Sequence, residues 1–177
     1  MPEITGRRVE YESPWFDVVV KDVEMQRGHE AFYSIRMGFD YTAVLAITDD
    51  GRIPLVRQFR PAVEEVVLEL PSGAIDRGES AEQASRRELL EETGCEAREL
   101  VELGWHHVDV GRSATRQWAF FAPDARVVRD APVGDEELEL LFVTPQELRA
   151  LVADGTFRAA LHITVIGLAC LLGKLPA

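Results

Sequence analysis

Glu88, Glu91 and Glu92 are spaced i, i+3 and i+4, so a helix through them gathers three carboxylates on one face. Solvated like charges at that spacing destabilise a helix by about 0.2–0.5 kcal/mol per pair, so something must offset the repulsion. A hard divalent cation does so naturally, because magnesium takes oxygen ligands and is commonly shared between carboxylates and substrate phosphates. Arg87 lies four residues before Glu91 and can brace it by an ion pair. Ala81, Ala84 and Ser85, one or two turns earlier on the same broad stripe, are small enough to leave room for an ion or a substrate. Upstream, Gly73 and Gly78 permit tight turns, and a loop carbonyl there can complete a metal shell. An acidic, solvated helix with incidental arginines fits the same spacing, and spacing alone does not separate the two.

The elements that must position these groups are legible from periodicity and caps. "FDVVVKDV" (16–23), "AFYSIR" (31–36) and "YTAVLAIT" (41–48) are rich in β-branched and aromatic residues and read as strands. "DDG" (49–51) is a turn signal, with "RIPLVRQF" (52–59) as the returning arm of a hairpin and Pro54 marking an edge or an irregularity in it. "VVLEL" (66–70) is a further short strand. The glutamate helix spans 81–93: Ser80 caps it, Gln83 completes a capping box, and Gly94 stops it. "QWAFFA" (117–122) and "LELLFV" (138–143) follow as strands. "TPQE" (144–147) opens a second helix, closed by "DG" (154–155), and an apolar C-terminal helix comes after. Strands first and helices interleaved give a mixed α/β (α+β) domain rather than alternating βαβ units.

Composition narrows the function classes. A net charge of -12 opposes a nucleic-acid backbone as partner, but not a small phosphate ester whose charge metal ions neutralise. Cys95 and Cys170 lie in apolar contexts with no metal-ligand spacing, as small buried hydrophobes of a reducing compartment do. The N-terminal "MPEITGRRVEYES" has no apolar signal core, and "AALHITVIGLACLL" (159–172) is too short to span a bilayer. A cytoplasmic protein without membrane partners is expected.

Gly73, five residues, Glu79, seven residues, then "RELLEETGC" (87–95) match the pattern G-x5-E-x7-R-E-U-x-E-E-x-G-U at every fixed position, with Leu89 and Cys95 as the bulky apolar U. On this run the chain is identified as resembling the Nudix hydrolases. The resemblance implies an α/β/α sandwich in which the matched segment forms a loop-helix-loop, here with an N-terminal antiparallel β extension over 1–40 and the hydrolase domain over 41–177. It implies hydrolysis of a nucleoside diphosphate linked to another group, dependent on Mg²⁺ or Mn²⁺. By position, Glu88, Glu91 and Glu92 would hold the metal, with the carbonyl of Ser72 as a backbone ligand. Arg87 would orient a glutamate of the set, and Glu79 would support it, through water. No covalent nucleophile is needed, and no serine or cysteine triad is evident.

Outside that run the chain resembles the ADP-ribose pyrophosphatase branch. "LVRQFRPAVEEVVLELPSGAIDRGE" (55–79) is similar to its arginine-bearing strand and its approach to the box, with Ser72 in place of alanine. "VGDEELELLFVTPQELRALVADG" (133–155) is similar to its acidic loop, strand and helix. Glu136 and Glu137, and less so Glu139, are thus implied near the metal centre or in water activation. Arg57 and Arg60 can grip a diphosphate through forked hydrogen bonds. Glu69 can bind a ribose or brace the loop. Arg112 and Arg116 can reach phosphate from downstream. His106 and His107 are adjacent, so on a strand they face opposite ways and make no metal pair. Trp15, Phe16 and Trp118 can stack on a base, although core or dimer contacts suit each better. The likeness also implies a homodimer built on the N-terminal strands. Many ADP-ribose hydrolases carry a proline downstream of the box, and 96–117 has none. Another nucleotide sugar, a dinucleoside polyphosphate, a nucleoside triphosphate, or nucleotide sensing without turnover therefore stand as alternatives to ADP-ribose.

Overall fold

The computed structural model describes residues 1–129 and 138–175. The chain divides into two compact units, Met1–Asp40 with His106–Gln117, and Tyr41–Trp105 with Trp118–Ala177.

In the first unit, β1 (Glu3–Glu12), β2 (Phe16–Met25) and β3 (Gly28–Met37) form an antiparallel sheet in that order. Cross-strand charges support its register: Arg36 reaches Asp17 directly opposite, and Arg8 reaches Asp22 on the diagonal, two positions off. The 106–117 segment joins this sheet through Ile35, whose N–H donates to the Arg112 carbonyl at 2.7 Å. Arg116 pairs with Asp40 at 2.6 Å.

The second unit carries β4 (Tyr41–Thr48), β5 (Ile53–Arg60), β6 (Glu65–Glu69), β7 (Ser72–Ala74), α1 (Ala81–Thr93), β8 (Cys95–Ala97) and the start of β9 (Val101–His107). It continues with most of β10 (Arg116–Val127), then β11 (Glu139–Val143), α2 (Pro145–Ala153) and α3 (Ala160–Leu171). One sheet runs β7-β4-β10-β8, with β9 also paired to β10, and a second runs β11-β5-β6. Both faces of β4 are buried, and its period of two sends alternate side chains to opposite cores. Ala43 and Leu45 join Ala119 and Phe121 of β10 against Phe157 and the α3 residues Val165 and Ala169. Val44 and Ala46 join Phe120 and Ala122 beneath Leu89 of α1. This makes the mixed α+β sandwich that the sequence implies.

The expected hairpin of β4 and β5 does not form. The turn closes, with the Thr48 N–H donating to the Arg52 carbonyl and the Gly51 N–H to that of Thr48, each at 2.8 Å. The strands then part into different sheets, β4 pairing with β7 and β10 and β5 with β11 and β6. Apolar alternation specifies which face a strand buries, not which neighbour it pairs with. The Thr48 hydroxyl also accepts the Arg52 N–H, so the turn holds without a ladder behind it. Pro54 is likewise not on an edge strand. It lies opposite Phe142 of β11, before the β6 ladder begins at Val56, where its missing N–H costs nothing on the β6 side.

Helix α1 begins and ends where its caps dictate. The Ser80 hydroxyl accepts the Gln83 N–H, and the Gln83 side chain accepts that of Ser80. Gly94 has φ 68°, and a Cβ there would sit 2.4 Å from the Arg129 carbonyl oxygen, so both conformation and space require glycine.

Candidate active site

The segment from Leu70 to Glu79 crosses from β6 to α1 and brings backbone against the glutamate face. The Pro71 carbonyl accepts the N–H of Val44, which ties the segment to the central sheet. One residue on, the Ser72 N–H donates to Oε2 of Glu92 at 2.8 Å. Glu92 is 6% exposed, so this carboxylate is fixed rather than solvated. Gly73 lies over Glu88 so closely that a Cβ on it would fall 2.0 Å from Oε1 and 2.3 Å from Cδ. Only glycine lets the backbone approach a carboxylate this way.

Arg87 organises the remaining acids. Its Nε and Nη2 donate to the two oxygens of Glu79 at 3.1 and 3.0 Å, the forked arrangement that suits a planar guanidinium. Nη1 donates to Glu88 at 2.6 Å and to Glu91 at 3.2 Å, and Nη2 also reaches the Ala74 carbonyl at 3.0 Å. The ion pair to Glu91 expected from helix spacing is present, together with Glu79, Glu88 and the Ala74 carbonyl, which that spacing does not reveal. Glu79 contacts Arg87 directly, and the hydrogen bond from Arg87 holds its carboxyl below the usual carboxylate range. These partners push the Arg87 guanidinium further up, Glu79 foremost, so it stays charged.

Ala84 and Ser85 do not open space for a ligand. Both are fully buried, and the Ser85 hydroxyl bonds that of Thr42 on β4. Their small size lets α1 pack closely on the sheet, on the same buried side of the helix as Leu89 and Glu92.

A second polar cluster lies on β5 and β6. Glu69 is 8% exposed and accepts from Arg60 through Nε at 3.1 Å and Nη2 at 2.5 Å, and from Gln58 at 3.0 Å. Glu69 thus fixes the direction of Arg60. Arg57 pairs with Glu139, its register partner on β11, at 3.1 Å. Arg112 is in the first unit, where it lines a cavity with Lys21, Phe32, Ser34 and His107. His106 bonds Gln117 at 2.9 Å while His107 is exposed, and Trp118 packs against Trp105 with ring centroids 6.4 Å apart. Trp15 is widely exposed and Phe16 lies against Tyr11. Glu136 and Glu137 lie outside the described residues.

The donor set suits a hard cation: Glu88, Glu91, Glu92 and the Ser72 carbonyl offer only oxygen. Among the described residues no three acidic, histidine or cysteine side chains close into a ligand cage, because the acids grip Arg87 and the Ser72 N–H instead. The fit rests on donor chemistry and on the close approach at Gly73.

The NUDIX domain model matches residues 39–161, which include the whole of this site. The chain belongs to the Nudix family. Among curated relatives, this Nudix protein is 33% identical over 138 residues to an ADP-ribose pyrophosphatase of Bacillus subtilis (strain 168), covering 77% of this chain and 75% of that one. It is 29% identical over 144 residues to a GDP-mannose pyrophosphatase of Yersinia enterocolitica, covering 76% and 74%. A solved structure described as an ADP compounds hydrolase superposes with a TM-score of 0.84 at 23% identity, covering 98% of this chain and 96% of that one, which shows a shared fold. Together the family and these relatives make the chain a Nudix pyrophosphohydrolase. Among its described residues no helix is long and apolar enough to cross a membrane.

Proposed function

We propose that this enzyme hydrolyses ADP-ribose to AMP and ribose 5-phosphate, using Mg²⁺ or Mn²⁺ held by Glu88, Glu91, Glu92 and the Ser72 carbonyl. The observation that carries it is the convergence of Glu88 on Gly73 and of Glu92 on Ser72 within one family-defining segment. The B. subtilis relative, an ADP-ribose pyrophosphatase, supports the choice of substrate. When bound, a divalent ion supplies neutralisation of phosphate charge and acidification of water. Arg87 aims Glu88 and Glu91, and Glu79 keeps Arg87 in place. Arg60, aimed by Glu69, and Arg57 bind the diphosphate, and Arg112 adds to substrate binding. Glu136 and Glu137 belong to this proposal as groups that take the proton from water. Water adds to one phosphorus, the bridging P–O bond breaks, and the departing phosphate oxygen takes a proton. Positioning and charge carry the step, without a covalent enzyme intermediate.

The GDP-mannose pyrophosphatase relative supports a second reading, hydrolysis of another nucleotide sugar. A panel of ADP-ribose, GDP-mannose, a dinucleoside polyphosphate and nucleoside triphosphates, each with Mg²⁺ or Mn²⁺ and with products read by mass, decides between them. Fastest turnover of ADP-ribose to AMP and ribose 5-phosphate is expected. Faster turnover of another compound would move the assignment, and none with any compound would leave a nucleotide-binding domain.

The proposal extends to a cytoplasmic homodimer built on the N-terminal strands. The first unit exposes Val9, Tyr11, Trp15, Phe32 and Tyr33, an unusual concentration of apolar surface for strands that face only water. Sedimentation at micromolar concentration is expected to show a dimer, and replacing Tyr11 and Phe32 together by serine should shift it to monomer. A monomeric wild type would contradict the proposal.

A further inference from the structure

His162 is a buried titratable side chain to which the glutamate site assigns no role. It sits on α3, 7% exposed, in the apolar run "LHITVIGLAC". Its Nδ1 accepts the N–H of Leu70 at 2.8 Å, linking residues 92 apart in sequence. Leu70 is itself fully buried, so without this acceptor its N–H would meet no water. The bond therefore satisfies a backbone group that the β6 ladder leaves open, since that ladder ends at Glu69.

The position of that bond matters more than its strength. Three consecutive residues are held from three elements: Leu70 by His162 of α3, Pro71 by Val44 of β4, and Ser72 by Glu92 of α1. The residue before them, Glu69, is buried and grips Arg60. A leucine at 162 would suit this apolar helix without the cost of burying an imidazole, so the acceptor is what the position uses. Burial pushes the His162 pKa down to about 4, with Glu69 opposing and Arg60 assisting. Near neutral pH the ring is uncharged, its proton is on Nε2, and the Nδ1 lone pair is free to accept.

We propose that His162 is a positioning residue, whose Nδ1 fixes the backbone from Leu70 to Ser72 and so sets Ser72 against the Glu92 carboxylate that accepts its N–H. This rests on the reading of Ser72 and Glu92 as working groups of the site. Displacing reacting groups by about 1 Å can cost on the order of a hundredfold in rate, so a tether one residue from Pro71 and two from Ser72 bears directly on turnover. A histidine that only fills volume would be replaced equally well by any side chain of similar size. One that acts through Nδ1 is replaced only by a side chain that carries an acceptor there.

The test compares the full chain with His162→Asn, His162→Gln and His162→Leu, and with Glu92→Gln beside them. Asparagine places its amide oxygen near Nδ1, glutamine places it further out near Nε2, and leucine has none. Steady-state kinetics with ADP-ribose and Mn²⁺, thermal melting and amide exchange at Leu70 are read for each. The Gln and Leu variants are expected to lose kcat by roughly 10–100-fold with KM within about threefold, and to exchange the Leu70 amide faster. The Asn variant is expected to recover kcat to within about threefold of wild type. Equal kcat in all three variants, or losses that follow melting temperature alone, would overturn the proposal. Should the Leu variant fail to fold, the contrast between Asn and Gln decides. Full activity in Glu92→Gln would overturn the site reading and this proposal with it. An inactive Glu92→Gln beside a fully active His162→Gln would overturn the positioning role alone.

Discussion

Glu92→Gln is expected to reduce kcat about a thousandfold, equivalent to roughly 4 kcal/mol of transition-state stabilisation. The substitution keeps size and shape and removes one negative charge. Its amide oxygen can still accept the Ser72 N–H, which now sits 2.8 Å from the carboxylate. The fold should therefore hold, since a buried carboxylate is being exchanged for a neutral group with the same partner. What is lost is a hard anionic oxygen beside the Ser72 backbone. Steady-state kinetics with saturating Mn²⁺ and a melting curve separate the two effects. A Glu92→Gln enzyme with wild-type kcat would remove Glu92 from the chemistry.

Gly73→Ala is expected to cost about a hundredfold in kcat while changing stability little. Gly73 does not occupy the left-handed backbone region, so alanine is allowed there conformationally. Its Cβ, however, would fall 2.0 Å from Oε1 and 2.7 Å from Oε2 of Glu88. Those atoms end a flexible side chain, so the protein can relieve the clash by swinging the carboxylate away rather than by shifting backbone. The displaced Glu88 would also leave Nη1 of Arg87, which it now meets at 2.6 Å. A loss of kcat without a matching fall in melting temperature is the signature of this displacement. Unchanged kcat would show that the Glu88 carboxylate need not lie under the loop.

Helix α1 is legible in the sequence because its information is local. Ser80, Gln83 and Gly94 mark both ends within the helix itself, and the i, i+3, i+4 spacing states which face the glutamates share. Helix α2 is legible for the same reason, through Thr144, Pro145 and Glu147. Strand pairing is not, because partners are chosen at long range. β4 and β5 look like a hairpin across Asp49–Gly51, yet each finds other neighbours. β1 escapes a reading by pattern because its side chains are almost all exposed and many are charged, so no apolar alternation marks it. β7 and β8, each of three residues, are too short to carry a period.

Within the site, contacts between residues distant in sequence are the part that pattern does not reveal. The fork between Arg87 and Glu79 joins helix to loop across eight residues, and only the pairing of Arg87 with Glu91 comes from helix geometry. The family pattern marks both residues without saying that they touch. Ala84 and Ser85 mislead for a related reason: a small side chain serves a binding space and a close helix–sheet contact equally well, and burial decides. Glu69 and His162 each interrupt an apolar run, a signal that something is paired there, but the run does not say with what.

The central claim is that Glu88, Glu92 and the Ser72 carbonyl hold the divalent ion that the reaction requires. It is tested most directly by anomalous diffraction from crystals of the full chain grown with Mn²⁺ and an ADP-ribose analogue whose bridging oxygen is replaced by methylene. Manganese is expected in contact with the Glu88 and Glu92 carboxylates and the Ser72 carbonyl, and with the diphosphate. Manganese bound elsewhere, with Glu88 still on Arg87 and Glu92 still on the Ser72 N–H, would contradict it.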